Sequence, residues 1–109
     1  MPGMRFAEFW PVYLAAHSHP ANRLLHVAGT AAALGLLLAA ALAGLPWLGL
    51  AAVIAGYGTA WCGHFLIEGN RPATFGHPFL SLAADLRMLG LFVCGKLERE
   101  ATRLIPPPS

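Results

Sequence analysis

Gly63-His64-Phe65-Leu66-Ile67-Glu68-Gly69-Asn70-Arg71-Pro72-Ala73 closes a long apolar run with an imidazole, a carboxylate and a guanidinium. On an α-helix, residues i and i+4 share a face, which sets His64 beside Glu68. Upstream, His17 and His26 flank the start of another apolar run, nine residues apart across the break His17-Ser18-His19-Pro20. Polar groups are costly where an apolar helix leaves lipid, so their presence there points to a task. Neutral imidazole is the commonest biological metal ligand and suits iron, zinc or copper. Taken singly, each of these histidines reads as a hydrogen-bonded side chain at an interface. Grouped at one depth, His17, His26 and His64 read as a metal-ligand set. Glu68 is then a fourth ligand, or the acceptor that fixes an imidazole tautomer. His19 and His77 both precede proline, so each reads first as a turn residue and second as a spare ligand. Arg71 pairs with Glu68 or a lipid phosphate, or offers a fork to a substrate carboxylate. Asp85, a carboxylate in an apolar stretch, is a candidate partner for a ligand.

The elements that must position these residues are helical and apolar. Hydrophobic residues make up 57% of the 109 and charged residues 11%, against about 25% charged in ordinary soluble domains. This composition predicts a single integral membrane domain over 1–109. Residues 5–16 carry Phe6, Phe9, Trp10, Tyr13 and Leu14 at helical spacing. Twelve residues reach only about 18 Å, too short to span, which predicts an interfacial helix with its rings at headgroup depth. Pro11 is expected to bend it or reset its start. Two transmembrane helices are expected at 23–42 and 46–67, with Asn22 as the favoured N-cap of the first and His19 as the alternative. A small-residue stripe, Ala52, Gly56 and Ala60, faces Gly29 and Ala33 and permits close helix approach. A polar loop covers 69–78. A third long apolar helix is expected at 78–103, interrupted by Asp85 and Arg87, with Gly90 and Gly95 as places to bend. The tail 105–109 reads as a loose end. The fold class is all-α, a small helical membrane bundle.

Only the turn 43–47 lacks charge or histidine among the connections. The positive-inside rule therefore places that turn on the far side and residues 17–26 and 64–77, with the site, on the cytoplasmic side. A spanning third helix would carry Lys96, Arg99 and Arg103 to the wrong side, which favours a shallow, tilted or bent one. Net charge of +2 gives a nucleic-acid partner little support. Cys62 and Cys94 lie in apolar stretches without a CxxC pair and read as buried, inert thiols. No cleavable signal is evident, since the first long apolar run begins near Leu24. Membrane lipid is a partner, and a homo-oligomer is compatible with the stripe.

Tyr13, His17, Pro20, Asn22, Arg23 and His26, followed by Gly63-His64-x-x-x-Glu68-x-x-Arg71-Pro72-Ala73, resemble the membrane dioxygenase family of fungal phytosphingosine degradation, over most of the chain. The resemblance implies an iron(II) site at His17, His26 and His64. It also implies α-oxidation of a 2-hydroxy long-chain fatty acid by dioxygen to an acid one carbon shorter. The characterised fungal member works at the endoplasmic reticulum. Glu68 and Arg71 are the expected catalytic side chains. This chain departs from the fungal proteins in the brief turn between its two spans, and His19 and His77 fall outside the matched pattern. A zinc lipid hydrolase and a non-enzymatic membrane or lipid-binding protein are the alternative readings.

Overall fold

Local chemistry sets most helix ends. The computed structural model describes residues 4–72 and 76–105. Among these residues there are five helices and no strand: α1 Phe6–Ala15, α2 Pro20–Ala43, α3 Trp47–Cys62, α4 Pro78–Val93 and α5 Leu97–Leu104. Ala73 of the sequence motif, the centre of the 69–78 loop and the tail beyond Ile105 lie outside the described residues. Glu8 caps α1 by accepting from the Arg5 backbone N–H. Pro20 opens α2 from its first position, where its missing N–H costs nothing, with His19 at the N-cap. Asn22, the favoured cap from sequence, is thereby a helical residue and free for another partner.

α3 continues without a break into a π-helical turn, Gly63–Glu68. Together they form one 22-residue rod, Trp47–Glu68, beside the 24 residues of α2. Both are long and apolar enough to cross a bilayer. They pair over the predicted stripe, where a Cβ on Gly56 would touch the Ala33 methyl at 3.4 Å. Gly29 meets Thr59 rather than the stripe itself. The most apolar window of each rod is only 17% buried within the protein. Leu38, Leu42, Leu50 and Ile54 all face outward.

The core lies elsewhere, where α1, α4 and α5 meet beside the start of α2. Phe9, Trp10, Tyr13 and Leu14 of α1 pack there with Val27, Ala84, Met88, Leu97 and Ala101. Of the five positions at helical spacing on α1, Phe9, Trp10, Tyr13 and Leu14 are buried against protein. Pro11 is accommodated inside the helix without resetting its start. The third predicted helix is two helices. Gly95, at φ +71°, takes the left-handed conformation that L side chains resist, and the chain turns there. α4 is then 16 residues, about 24 Å, short of a hydrocarbon core of about 30 Å. α5 folds back on α1, with the Trp10 indole donating to Glu100 and the Arg87 guanidinium 5.0 Å over the Trp10 ring. Cys62 and Cys94 are exposed, not buried, because they fall on outward faces of α3 and of the α4 terminus.

Candidate metal centre

Three elements deliver one imidazole each. His17 sits in the turn that follows α1, His26 in the second turn of α2, and His64 in the π-turn after α3. Ring centroids are 4.6 Å apart for His17–His26, 4.4 Å for His17–His64 and 5.8 Å for His26–His64. One ligand nitrogen from each lies within 4.8 Å of the others, and all three residues are buried. Close backbone approach makes this possible. A Cβ on Gly63 would sit 1.8 Å from Asn22 Oδ1, so only glycine lets the end of α3 press against α2 here.

Each ring is held at one nitrogen by an acceptor. His17 Nδ1 donates to the Tyr13 carbonyl at 2.7 Å. His26 Nε2 donates to Asp85 at 2.7 Å, and the same carboxylate oxygen accepts from the Tyr13 hydroxyl. His64 Nδ1 donates to Asn70 Oδ1 at 2.7 Å, while Asn70 Nδ2 donates to the Ala16 carbonyl. Carbonyl, amide and carboxylate oxygens accept only, so these bonds select the tautomers. The remaining lone pairs are on His17 Nε2, His26 Nδ1 and His64 Nε2. His17 Nε2 and His26 Nδ1 are buried with no hydrogen-bond partner. Buried imidazole nitrogens without a partner, within a cluster of three rings, are what a cation would satisfy. The residues fit a metal of the iron, zinc or copper type.

The surroundings keep this state. Burial, reinforced by the neighbouring His26, holds the His17 imidazole well below its usual pKa and so neutral, as a ligand must be. Burial followed by Asp85 pushes the Tyr13 phenol up, so it remains a donor. Arg23 is buried and clamps the turn: Nη1 donates to the carbonyls of His17 at 2.7 Å and Ser18 at 3.0 Å, and the other edge of the fork grips Glu98 of α5.

The structure brings His17, His26 and His64 together, and it sets Glu68 and His77 to other work. The Glu68 carboxylate accepts from Ser18 Oγ, the His19 backbone N–H and Asn22 Nδ2. The shared-face expectation for His64 and Glu68 assumed α-helical spacing. A π-turn, with its i→i+5 hydrogen bonds, also leaves i and i+4 on nearly one face, and both side chains do point at the 17–26 segment: His64 toward His17 and His26, Glu68 toward Ser18, His19 and Asn22. His77 packs its ring edge against Phe9, 5.4 Å between centroids, at the N-cap of α4. Arg71 is exposed, next to the buried Pro72. The tautomer-fixing acceptors are the Tyr13 carbonyl, Asp85 and Asn70. Asp85 was legible as a carboxylate in an apolar helix. Asn70 carried no sequence signal beyond its place two residues after Glu68.

A pocket of about 180 Å³ opens from the cluster between α2, α3 and α4. At its head stand His26, His64, Tyr13, Asp85 and Ser81; along its length it is lined by Ala33, Leu34, Leu37, Ala52, Val53 and Gly56. Leu34, Leu37, Val53 and Leu82 on its rim are about half exposed, so the pocket is a groove open on the outer face of the helices.

Residues 4–97 match the family model described as "Mpo1-like: 2-hydroxy-palmitic acid dioxygenase Mpo1-like". No curated protein and no solved structure matches the chain.

Proposed function

Because the chain belongs to the Mpo1-like, 2-hydroxy-palmitic acid dioxygenase family, we propose that it is an iron(II)-dependent dioxygenase shortening 2-hydroxy long-chain fatty acids by one carbon. The observation that carries this reading is the meeting of three tautomer-fixed imidazoles at the head of an apolar groove. The reaction balances as R–CH(OH)–COOH + O2 → R–COOH + CO2 + H2O, with the substrate supplying all four electrons. No nicotinamide or oxoacid is needed. When bound, iron(II) supplies Lewis acidity toward the hydroxyl and carboxylate oxygens and electron exchange with dioxygen.

The protein's own share is positioning. His17, His26 and His64 hold the ion, and the Tyr13 carbonyl, Asp85 and Asn70 fix their orientation and raise their basicity. Glu68 serves by anchoring the 18–22 turn, which carries His17 at its start. Arg71, exposed beside the groove-lining Pro72, draws an anionic headgroup toward the site. The groove seats the acyl tail. From His26 to Leu37 the α2 axis advances about 16 Å. An all-trans hydrocarbon gains about 1.25 Å per bond, so about 16 Å of helix matches about 13 bonds, or about 14 carbons. That is the length left beyond the hydroxylated carbon in a palmitic chain, the chain in the family's description.

α2 and Trp47–Glu68 cross the bilayer with the charge-free turn on the far side and the histidine end at the cytoplasmic face. Their outward leucines then face hydrocarbon, and the substrate enters laterally from the lipid. Purified protein given iron(II), dioxygen and 2-hydroxyhexadecanoic acid is expected to yield pentadecanoic acid and carbon dioxide, with about one iron per chain. An iron-loaded preparation that forms no chain-shortened acid would sink the assignment. Zinc content with oxygen-independent turnover of a lipid ester would replace it with a hydrolase.

A further inference from the structure

Ser81 on α4 is only 3% exposed, and its Oγ has no hydrogen-bond partner. Buried hydroxyls in helices ordinarily escape that cost by donating to the carbonyl one turn back. The partly buried Thr30 and Thr59 do so, and Ser81 does not. Ser81 lines the groove together with Asp85, one helical turn further along the same face. Asp85 in turn holds His26. The orphan hydroxyl therefore stands at the polar head of the groove, beside the histidine cluster. The other hydroxyls at this head are engaged, Tyr13 with Asp85 and Thr30 with the His26 carbonyl. Among the described residues, no lysine or arginine lines the groove. Of the described residues that do, Ser81 offers a carboxylate the buried uncommitted hydroxyl at the head, while the Tyr57 hydroxyl belongs to a half-exposed ring about two turns back along α3.

We propose that Ser81 Oγ–H donates a hydrogen bond to the carboxylate of the bound fatty acid, making Ser81 the residue that holds the acid's head against the histidine cluster. This rests on the acyl-groove reading above. It does not require that the reaction be an oxygenation.

The test uses the metal-loaded full chain and two non-reacting probes, hexadecanoic acid and hexadecan-1-ol, with Ser81→Ala and Ser81→Thr. Hydrogen bonds to charged groups are the stronger kind, so Ser81→Ala is expected to weaken hexadecanoic acid about ten- to hundredfold. Hexadecan-1-ol should bind within about twofold of wild type, and metal content and melting temperature should hold. Ser81→Thr, which keeps the hydroxyl, should recover most of the acid affinity. In turnover, KM for 2-hydroxyhexadecanoic acid should rise in Ser81→Ala by the factor seen for hexadecanoic acid, with kcat nearly unchanged. Unchanged acid affinity in Ser81→Ala, or equal losses for acid and alcohol, would overturn the proposal, since the second outcome marks a change in groove shape alone. Selective acid loss in a wild-type protein that never turns over the hydroxy acid would retain Ser81 and discard the dioxygenase. Turnover at unchanged KM in Ser81→Ala would do the reverse.

Discussion

The two ends of the α2–α3 pair obey opposite rules. At one end the side chains of His17, Asn22, Arg23, His26 and His64 are all buried, in a region where nearly every donor has a named acceptor. Along the flanks and toward the turn at Gly44–Pro46, leucines, isoleucines and a tryptophan stand outside. A water-soluble protein has this distribution reversed. Buried polar groups are tolerable when they are satisfied, and exposed apolar groups when the surroundings are themselves apolar. The contrast separates two jobs. The polar end depends on fixed tautomers and directed lone pairs, where one lost bond matters. The apolar body depends on small residues that keep a groove open, where shape matters more than any one contact.

The largest effect is expected at the polar end. His64→Ala removes one of the three proposed ligand nitrogens without touching the core formed by α1, α4 and α5. Metal content should fall from about one per chain to near zero. Turnover should drop by more than the 10–100-fold typical of losing a group behind a ligand, with helicity unchanged by circular dichroism. Full metal stoichiometry in this variant would remove His64 from the site and erase the contrast between the ends.

A middle-sized effect should come from the apolar body. Gly56→Leu puts a side chain into the groove eight residues from His64, about 12 Å along α3, and leaves room for about 10 carbons. Metal content should match wild type, while the preferred acid becomes shorter by about four carbons. Retained preference for the 16-carbon acid would show that the tail does not run between α2 and α3. Lost metal would show that the two regions are not independent.

The smallest effect concerns α5. The hydrogen bond from Arg23 holds the Glu98 carboxyl below the usual range. A carboxyl depressed in the fold stabilises it above its unfolded pKa, about 4.3, and that contribution is lost as pH falls through the folded value. The Glu98 side chain is 63% exposed, so solvent screening keeps the contribution small. Metal-free wild type should lose melting temperature slightly faster than Glu98→Gln between pH 5 and about 3. Parallel slopes would show that the Arg23 clamp holds the His17 turn without α5.

Much of the architecture was legible locally. Unbroken apolar runs placed both long rods to within a few residues, since length and hydropathy are properties of the segment itself. Pro20 offered the alternative start that the structure takes in place of the favoured Asn22 cap, and Gly95 was one of two glycines at which a single long helix was expected to bend. The three histidines were legible as a group because each sits at the same end of an apolar run. The burial of Phe9, Trp10 and Tyr13 was not. An aromatic stripe of this spacing suits a lipid headgroup layer and a protein core equally, and only the return of α4 and α5 decides between them. The different partners that His64 and Glu68 meet from one side of the last turn were also hidden, because those partners lie far away along the chain.

The sequence by itself determined the helical segments, their polarity and which end gathers the imidazoles, because these follow from neighbours along the chain. Only the tertiary structure decided which nitrogen of each ring stays free, which hydroxyl is left without a partner and where the groove runs. Tyr13 reaches Asp85 across 72 positions, His26 reaches it across 59, and Asn22 meets Glu68 across 46. Hydrogen bonds act over about 3 Å of space. Pairs so distant in sequence carry no local pattern, and packing alone brings them within that range.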